Sequence, residues 1–244
     1  MKIFISILLL GSTLFVNGQV KLIPAKKIVD SKWLKNQQYQ MAWYAIKDTA
    51  KIEIGKVTTQ IDVKKNRVTV ITEVSLKRTQ SPWIDSTIAN TKDLNPVYHS
   101  SYNSQRDMIL NFGKTVTGFY TDKTSKVTTI INDTTNSGYF DSNIYPVLIG
   151  WLPLEEGYKK DISIYDYNPK GKTGILKAMI RDVKKGTIES NKSGLHDVWV
   201  VTVSDEIGGE DAVSTYYIDI ADRKLWKQEL NAGARKMLME LIEE

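Results

Sequence analysis

The sequence predicts a mainly β protein: a large curved antiparallel sheet, forming a half-open or incomplete barrel, with one or two short covering helices. Three observations carry this. Val68, Val70, Thr72, Val74 and Leu76 share one face, and Thr69, Glu73, Ser75 and Lys77 the other. That period of two marks a half-buried antiparallel strand. Turn-forming residues recur about every 8 to 12 positions, as in a meander of hairpins. Most of the six tryptophans and twelve tyrosines fall in strand-like segments, where aromatic side chains pack well.

The elements follow in order. Gln38 onward reads as a strand through Trp43 and Ala45, after an ambiguous stretch from Lys32. Ile52, Ile54, Val57, Ile61 and Val63 form the next. Their phase slips between Ile54 and Val57, so a bulge is expected at Gly55-Lys56. Segments 84–90, 96–102, 108–112, 116–120 and 127–131 continue the series. The polar run Asn132 to Gly138 is a loop. From Tyr139 to Leu154, Phe140, Ile144, Val147, Leu148 and Trp151 fall near helical spacing. Pro146 and Pro153 restrict this to a short helix or two turns, ending at Leu152. Strands return at 162–167, 174–183, 198–203, 213–220, 225–230 and 237–241. Val198-Trp199-Val200-Val201 is apolar on both faces and predicts a central strand. The expected total is about 11 to 13 strands, in one domain spanning 19–244.

The amino end has a different character. Lys2 precedes an apolar run, Ile3 to Leu10, extended by Leu14-Phe15-Val16 and closed by Asn17-Gly18. This is the pattern of a secretory signal peptide, with cleavage expected near Gly18. The run is too short and interrupted for a membrane span, and no later segment predicts one. The expected location is periplasmic or secreted. No cysteine follows the run, so a lipoprotein-type anchor is not expected.

Composition narrows the chemistry. The 244 residues contain no cysteine and two histidines, His99 and His196. Thiolate metal sites and cysteine nucleophiles are therefore excluded. The net charge of +5 is spread along the chain in isolated lysine pairs, such as Lys64-Lys65 and Lys184-Lys185. Nucleic-acid binding needs such charge gathered on one element, so no nucleic-acid partner is expected.

Apparent motifs fail on spacing. Gly171-Lys172-Thr173 ends like a phosphate loop, but Asp166 stands where that loop needs glycine. Asn168-Pro169-Lys170-Gly171 reads as a β-turn. The Asp133 to Gly138 loop has Ile144 where a calcium loop needs glutamate. The acidic stretch Asp205 to Asp211 reads as a hairpin tip around Gly208-Gly209, with cation binding the other option. His99 and Ser101 share a strand face, but no Gly-x-Ser-x-Gly elbow accompanies them. Carboxylates such as Asp85 and Asp141 leave hydrolase chemistry as a distant reading. No catalytic residue, metal ligand or cofactor is expected.

The aromatic and apolar residues carry the functional expectation. They either fill a β core or line a ligand cavity in the concave face of a curved sheet. The candidate lining residues are Trp43, Trp83, Phe112, Phe119, Ile144, Leu148, Trp151 and Trp199.

A family resemblance rests on three groups of residues. The first is Asp85-Ser86-Thr87 with Asp93-Leu94-Asn95-Pro96-Val97-Tyr98. The second is Phe140-Asp141-Ser142 with Leu152-Pro153-Leu154-Glu155-Glu156-Gly157. The third is Tyr216-Tyr217-Ile218-Asp219 with Asp222-Arg223-Lys224-Leu225. With these, the chain resembles an uncharacterised family of exported bacterial proteins, the domain of unknown function 3108, from about Trp43 to Met239. Its strand–turn–strand pattern is also similar to the lipoprotein-carrier proteins of the bacterial envelope. That resemblance implies a half-open barrel covered by short helices, with Tyr139 to Trp151 as a lid or plug. It assigns no catalytic residue. The expected function is a non-catalytic envelope protein holding a lipid or other apolar small molecule. The alternative is a structural module docking an envelope protein or polysaccharide.

Overall fold

The computed structural model describes residues 21–209 and 212–243. The expected signal segment and two acidic residues of the hairpin tip, Glu210 and Asp211, lie outside the described residues. Eight strands form a first antiparallel meander: β1 (Gln37–Lys47), β2 (Ala50–Lys64), β3 (Arg67–Leu76), β4 (Trp83–Asn90), β5 (Pro96–Tyr102), β6 (Arg106–Asn111), β7 (Thr115–Asp122) and β8 (Val127–Thr134). The short β9 (Phe140–Asp141) and the helix α1 (Tyr145–Trp151) follow. A second meander comprises β10 (Lys160–Asp166), β11 (Gly174–Ser190), β12 (Gly194–Asp205), β13 (Ala212–Asp219), β14 (Leu225–Ala232) and β15 (Arg235–Leu241).

The last strand returns to the first. β15 pairs antiparallel with β1, placing Met41 opposite Leu241. One 15-stranded sheet results, running from β8 through β1 and β15 to β9. β9 pairs with β10 in parallel, and Leu22 adds a parallel bridge to Ile162. The sheet is not closed into a barrel. The mainly β, curved, incomplete-barrel architecture is therefore present, with more strands than the period-2 runs suggested. Fourteen of the fifteen correspond to segments read from the sequence, against an expected total of about 11 to 13, and the other is β9, whose two residues are too few to show a period.

Local chemistry explains the irregular points. Trp43 pairs with Gly55 but Tyr44 with Glu53, leaving Ile54 as the extra residue of a bulge. The phase slip is thus real and lies one residue before the expected place. Glycine is required next to it: a Cβ on Gly55 would sit 2.3 Å from the Ser75 carbonyl oxygen. Gly118 on β7 is tighter still, at 1.9 Å from the Ile109 carbonyl oxygen of β6. In both places the obstacle is backbone, which cannot swing aside.

The helix has no charged residue (Tyr-Pro-Val-Leu-Ile-Gly-Trp) and is apolar nearly all round, the mark of a buried helix. Pro146 sits in its first turn, where no N–H is missed. Leu152 is extended at ψ 155° because Pro153 follows it. Leu148, Ile149 and Trp151 pack with Ile61, Val68 and Val70 of the first meander and Ile162, Ile164, Val201 and Val203 of the second. The helix therefore plugs the concave side and joins both halves.

The two ends of the sheet approach each other through side chains. Met108, Leu110, Val116, Tyr120 and Ile131 of β6–β8 pack with Tyr139 and Tyr165. Tyr165 Oη donates to Asp133 of β8 at 3.0 Å. Lys170 pairs with Asp122 at 2.9 Å. This seam stands where ladder hydrogen bonds would close a barrel. Among the described residues, no helix is long and apolar enough to cross a membrane.

Candidate functional site

Alternation sets which side chains reach the concave face. The register aligns Thr59, Thr72, Asp85, Ser101 and Met108 in a row across five strands. One step away along the strands, Thr87 of β4 faces His99 of β5. Strands β1, β2, β14 and β15 contribute Met41, Val57, Leu230 and Met239. With Tyr145, Pro146 and Val147 of α1 these enclose a cavity of about 520 Å³. One wall is apolar. The other carries Asp85, His99, Arg106, Ser142, Asn143 and Asp166.

The polar wall is built around Asp141 of β9, which is 1% exposed. Its Oδ2 accepts from His99 Nδ1 at 2.8 Å and from the Thr87 hydroxyl. Asn143 Nδ2 donates to Thr87 Oγ1 at 3.0 Å. Asp141 thus ties β9 to β4 and β5 across the seam. Burial alone would lower the His99 pKa, but the Asp141 carboxylate overrides it and holds His99 above its ordinary 6.5. His99 Nε2 and Asp141 Oδ1 have no hydrogen-bond partner among the described residues. Ser142 Oγ donates to Asp166 Oδ1 at 2.8 Å. Burial still pushes the Asp166 carboxyl up, toward its neutral form.

Trp83, Asp85, Ser101 and Arg106 form a second polar group. Trp83 Nε1 donates to Asp85 Oδ1 at 2.8 Å and to Ser101 Oγ at 3.2 Å. Arg106 Nε donates to the same Ser101 oxygen at 3.1 Å. The guanidinium lies over the Trp83 ring, 5.3 Å from its centroid. Elsewhere in the cavity, burial raises the pKa of Tyr39, Tyr145 and Tyr216. Burial keeps these phenols neutral, and the Tyr145 hydroxyl donates to Asp205.

Residues 38–240 match the family described as "Protein of unknown function (DUF3108)". The chain belongs to the DUF3108 family. No curated protein matches it significantly. Among solved structures, a beta-barrel-like protein of domain of unknown function DUF1849 from Brucella abortus aligns over 90% of this chain and 98% of its own. The identity is 9% and the TM-score 0.49.

The eight candidate lining residues separate in the DUF3108 fold. Trp83 lines the concave cavity. Trp43 lines a smaller pocket of about 60 Å³ beside it, with Leu230 and Met237. Ile144, Leu148, Trp151 and Trp199 are buried in the main core. Phe112 packs edge-on against Tyr165 at the seam. Phe119 faces the opposite way from Val116 and Tyr120 on β7, in a row with Ile109 and Ile130. The helical spacing around Leu148 reports burial against the sheet as faithfully as it would report a cavity wall. The lining set read from the sequence leaves out His99, Thr87, Arg106 and Asp166 of the polar wall. The one available signal was their shared strand faces, which says nothing about what crosses from the other sheet end.

The remaining motifs have local roles. Gly171 N donates to the Asn168 carbonyl at 3.0 Å, closing a turn. In the acidic hairpin, Asp205 Oδ1 accepts from Gly208 N and Glu206 Oε2 from Lys177 N, both at 2.7 Å. Among the described residues no cluster of three metal-ligating side chains occurs. The His196 and Trp226 rings pack tilted with centroids 4.2 Å apart; Trp226 Nε1 donates to Asp219 Oδ2, which lies 3.3 Å from His196 Nδ1.

Proposed function

We propose that this protein is an exported, non-catalytic component of the cell envelope that holds a lipid or other apolar ligand in the concave cavity. The cavity itself carries the reading. Its volume of about 520 Å³ falls within the ~300–1,000 Å³ typical of small-molecule sites. Met41, Val57, Val147, Leu225, Leu230 and Met239 supply an apolar wall, and the plug helix spares it from collapse. Export is supported by the apolar leader that ends at Gly18.

The polar wall argues for binding over catalysis. His99 and Asp141 have the orientation of a general base with its partner. No hydroxyl among the described residues bonds His99 Nε2. Ser101, on the same face, is held by Trp83 and Arg106 instead. Native mass spectrometry of the protein purified under gentle conditions is the test. The expected spectrum shows a copurifying apolar molecule that organic extraction releases. A homogeneous apo mass, together with failure to take up any added amphiphile, opposes the proposal.

A further inference from the structure

We infer that the ligand is an amphiphile with an oxyanion head, carboxylate or phosphate, seated against Arg106. This rests on the apolar-ligand reading above and adds the chemistry of the head group.

Arg106 is a half-buried cation on the cavity wall. Among the described residues it forms no ion pair within 4.0 Å. Its Nε is fixed by Ser101 and its plane rests over Trp83. The side chain is therefore oriented before any ligand arrives, with its remaining N–H groups unspent. A planar guanidinium offers paired donors that match two oxygens of a carboxylate or phosphate. A partly buried charge without a partner also loses hydration that such a head would replace.

The neighbouring charges allow this. Asp141, from β9, is spent on His99 and Thr87. Asp85, from β4, accepts from Trp83. Asp166, from β10, accepts from the Ser142 hydroxyl. His99, from β5, stands on the same wall with Nδ1 paired to Asp141 and Nε2 unpartnered. The apolar wall on β1, β2, β14 and β15 lies across the same cavity. Head and tail thus find complementary ends of one space.

Calorimetric titration of the full mature chain with dodecanoate, dodecyl phosphate, dodecanol and dodecylamine decides it, with Arg106→Gln run in parallel. At least one oxyanion is expected to bind ~10-fold or more tighter than dodecanol, the size of one charge-assisted hydrogen bond. Which of the two wins identifies the head. Arg106→Gln should remove that preference, read as the ratio of oxyanion to dodecanol affinity, with near-ultraviolet circular dichroism reporting an intact fold. Equal binding of all four, or tightest binding of dodecylamine, overturns the head-group inference while the apolar-ligand reading stands. An oxyanion preference that survives in Arg106→Gln overturns it too. Binding of none defeats the apolar-ligand reading itself. If Arg106→Gln does not fold, Arg106→Lys is substituted. It keeps the charge without the paired donors and should lose most of the preference.

Discussion

Asp141→Ala is expected to destabilise the protein by about 3–5 kcal/mol, the cost of breaking a buried charge pair by removing one partner. Asp141 accepts from His99 and Thr87, and these bonds hold the end of the second meander to the first. Removing it leaves His99 at 4% exposure with neither ring nitrogen paired. The pH dependence should also reverse. In the wild type the folded His99 pKa lies above the unfolded value near 6.5. Its stabilising contribution is full below pH 6.5 and is lost as pH rises through the folded pKa. Without Asp141, burial becomes the dominant influence and depresses the folded pKa. Stability linked to His99 is then lost as pH falls. Urea denaturation at pH 5.5 and 8.5 checks both. A variant within about 0.5 kcal/mol of wild type, the usual range for surface changes, contradicts the latch role.

Leu148→Ala is expected to cost about 2–5 kcal/mol. Leu148 is fully buried and bridges the two halves of the core. Only partial relaxation is possible, because sheet strands surround α1. The neighbouring Tyr145, Pro146 and Val147 line the concave cavity, whereas Leu148 does not. The variant should therefore melt earlier yet bind dodecanol as the wild type does. Thermal melts with and without dodecanol measure both quantities. Loss of binding at a temperature where the variant is folded would place Leu148 on the cavity wall.

Much of the architecture was legible because strand burial leaves a period of two. Val68, Val70 and Thr72 display it, and the slip at Ile54 even announced its bulge. Pro146 and Pro153 bounded the helix correctly to within a few residues. The site was less legible, for a physical reason. Asp141 lies 42 residues from His99 and 54 from Thr87. Their meeting depends on how far a 15-stranded sheet curls, which no local pattern encodes. Aromatic and aliphatic residues were equally ambiguous. Trp83 lines the cavity and Trp199 fills the core, yet both sit on strands of similar composition. Arg106, followed by alternating Met108 and Leu110, reads as an ordinary strand end. Only the finished fold shows that, among the described residues, it forms no ion pair.

Methionine methyl spectra test the cavity most directly. Met41 and Met108 line it, Met239 lines both it and the smaller neighbouring pocket, Met237 lines that smaller pocket alone, and Met179 lines neither. With ¹³C-methyl methionine, added dodecanol should move the Met41, Met108 and Met239 resonances saturably. Met179 and Met237 should stay in place. Shifts centred on Met179 or Met237, or no shift at any methionine, would contradict an apolar ligand in the concave face.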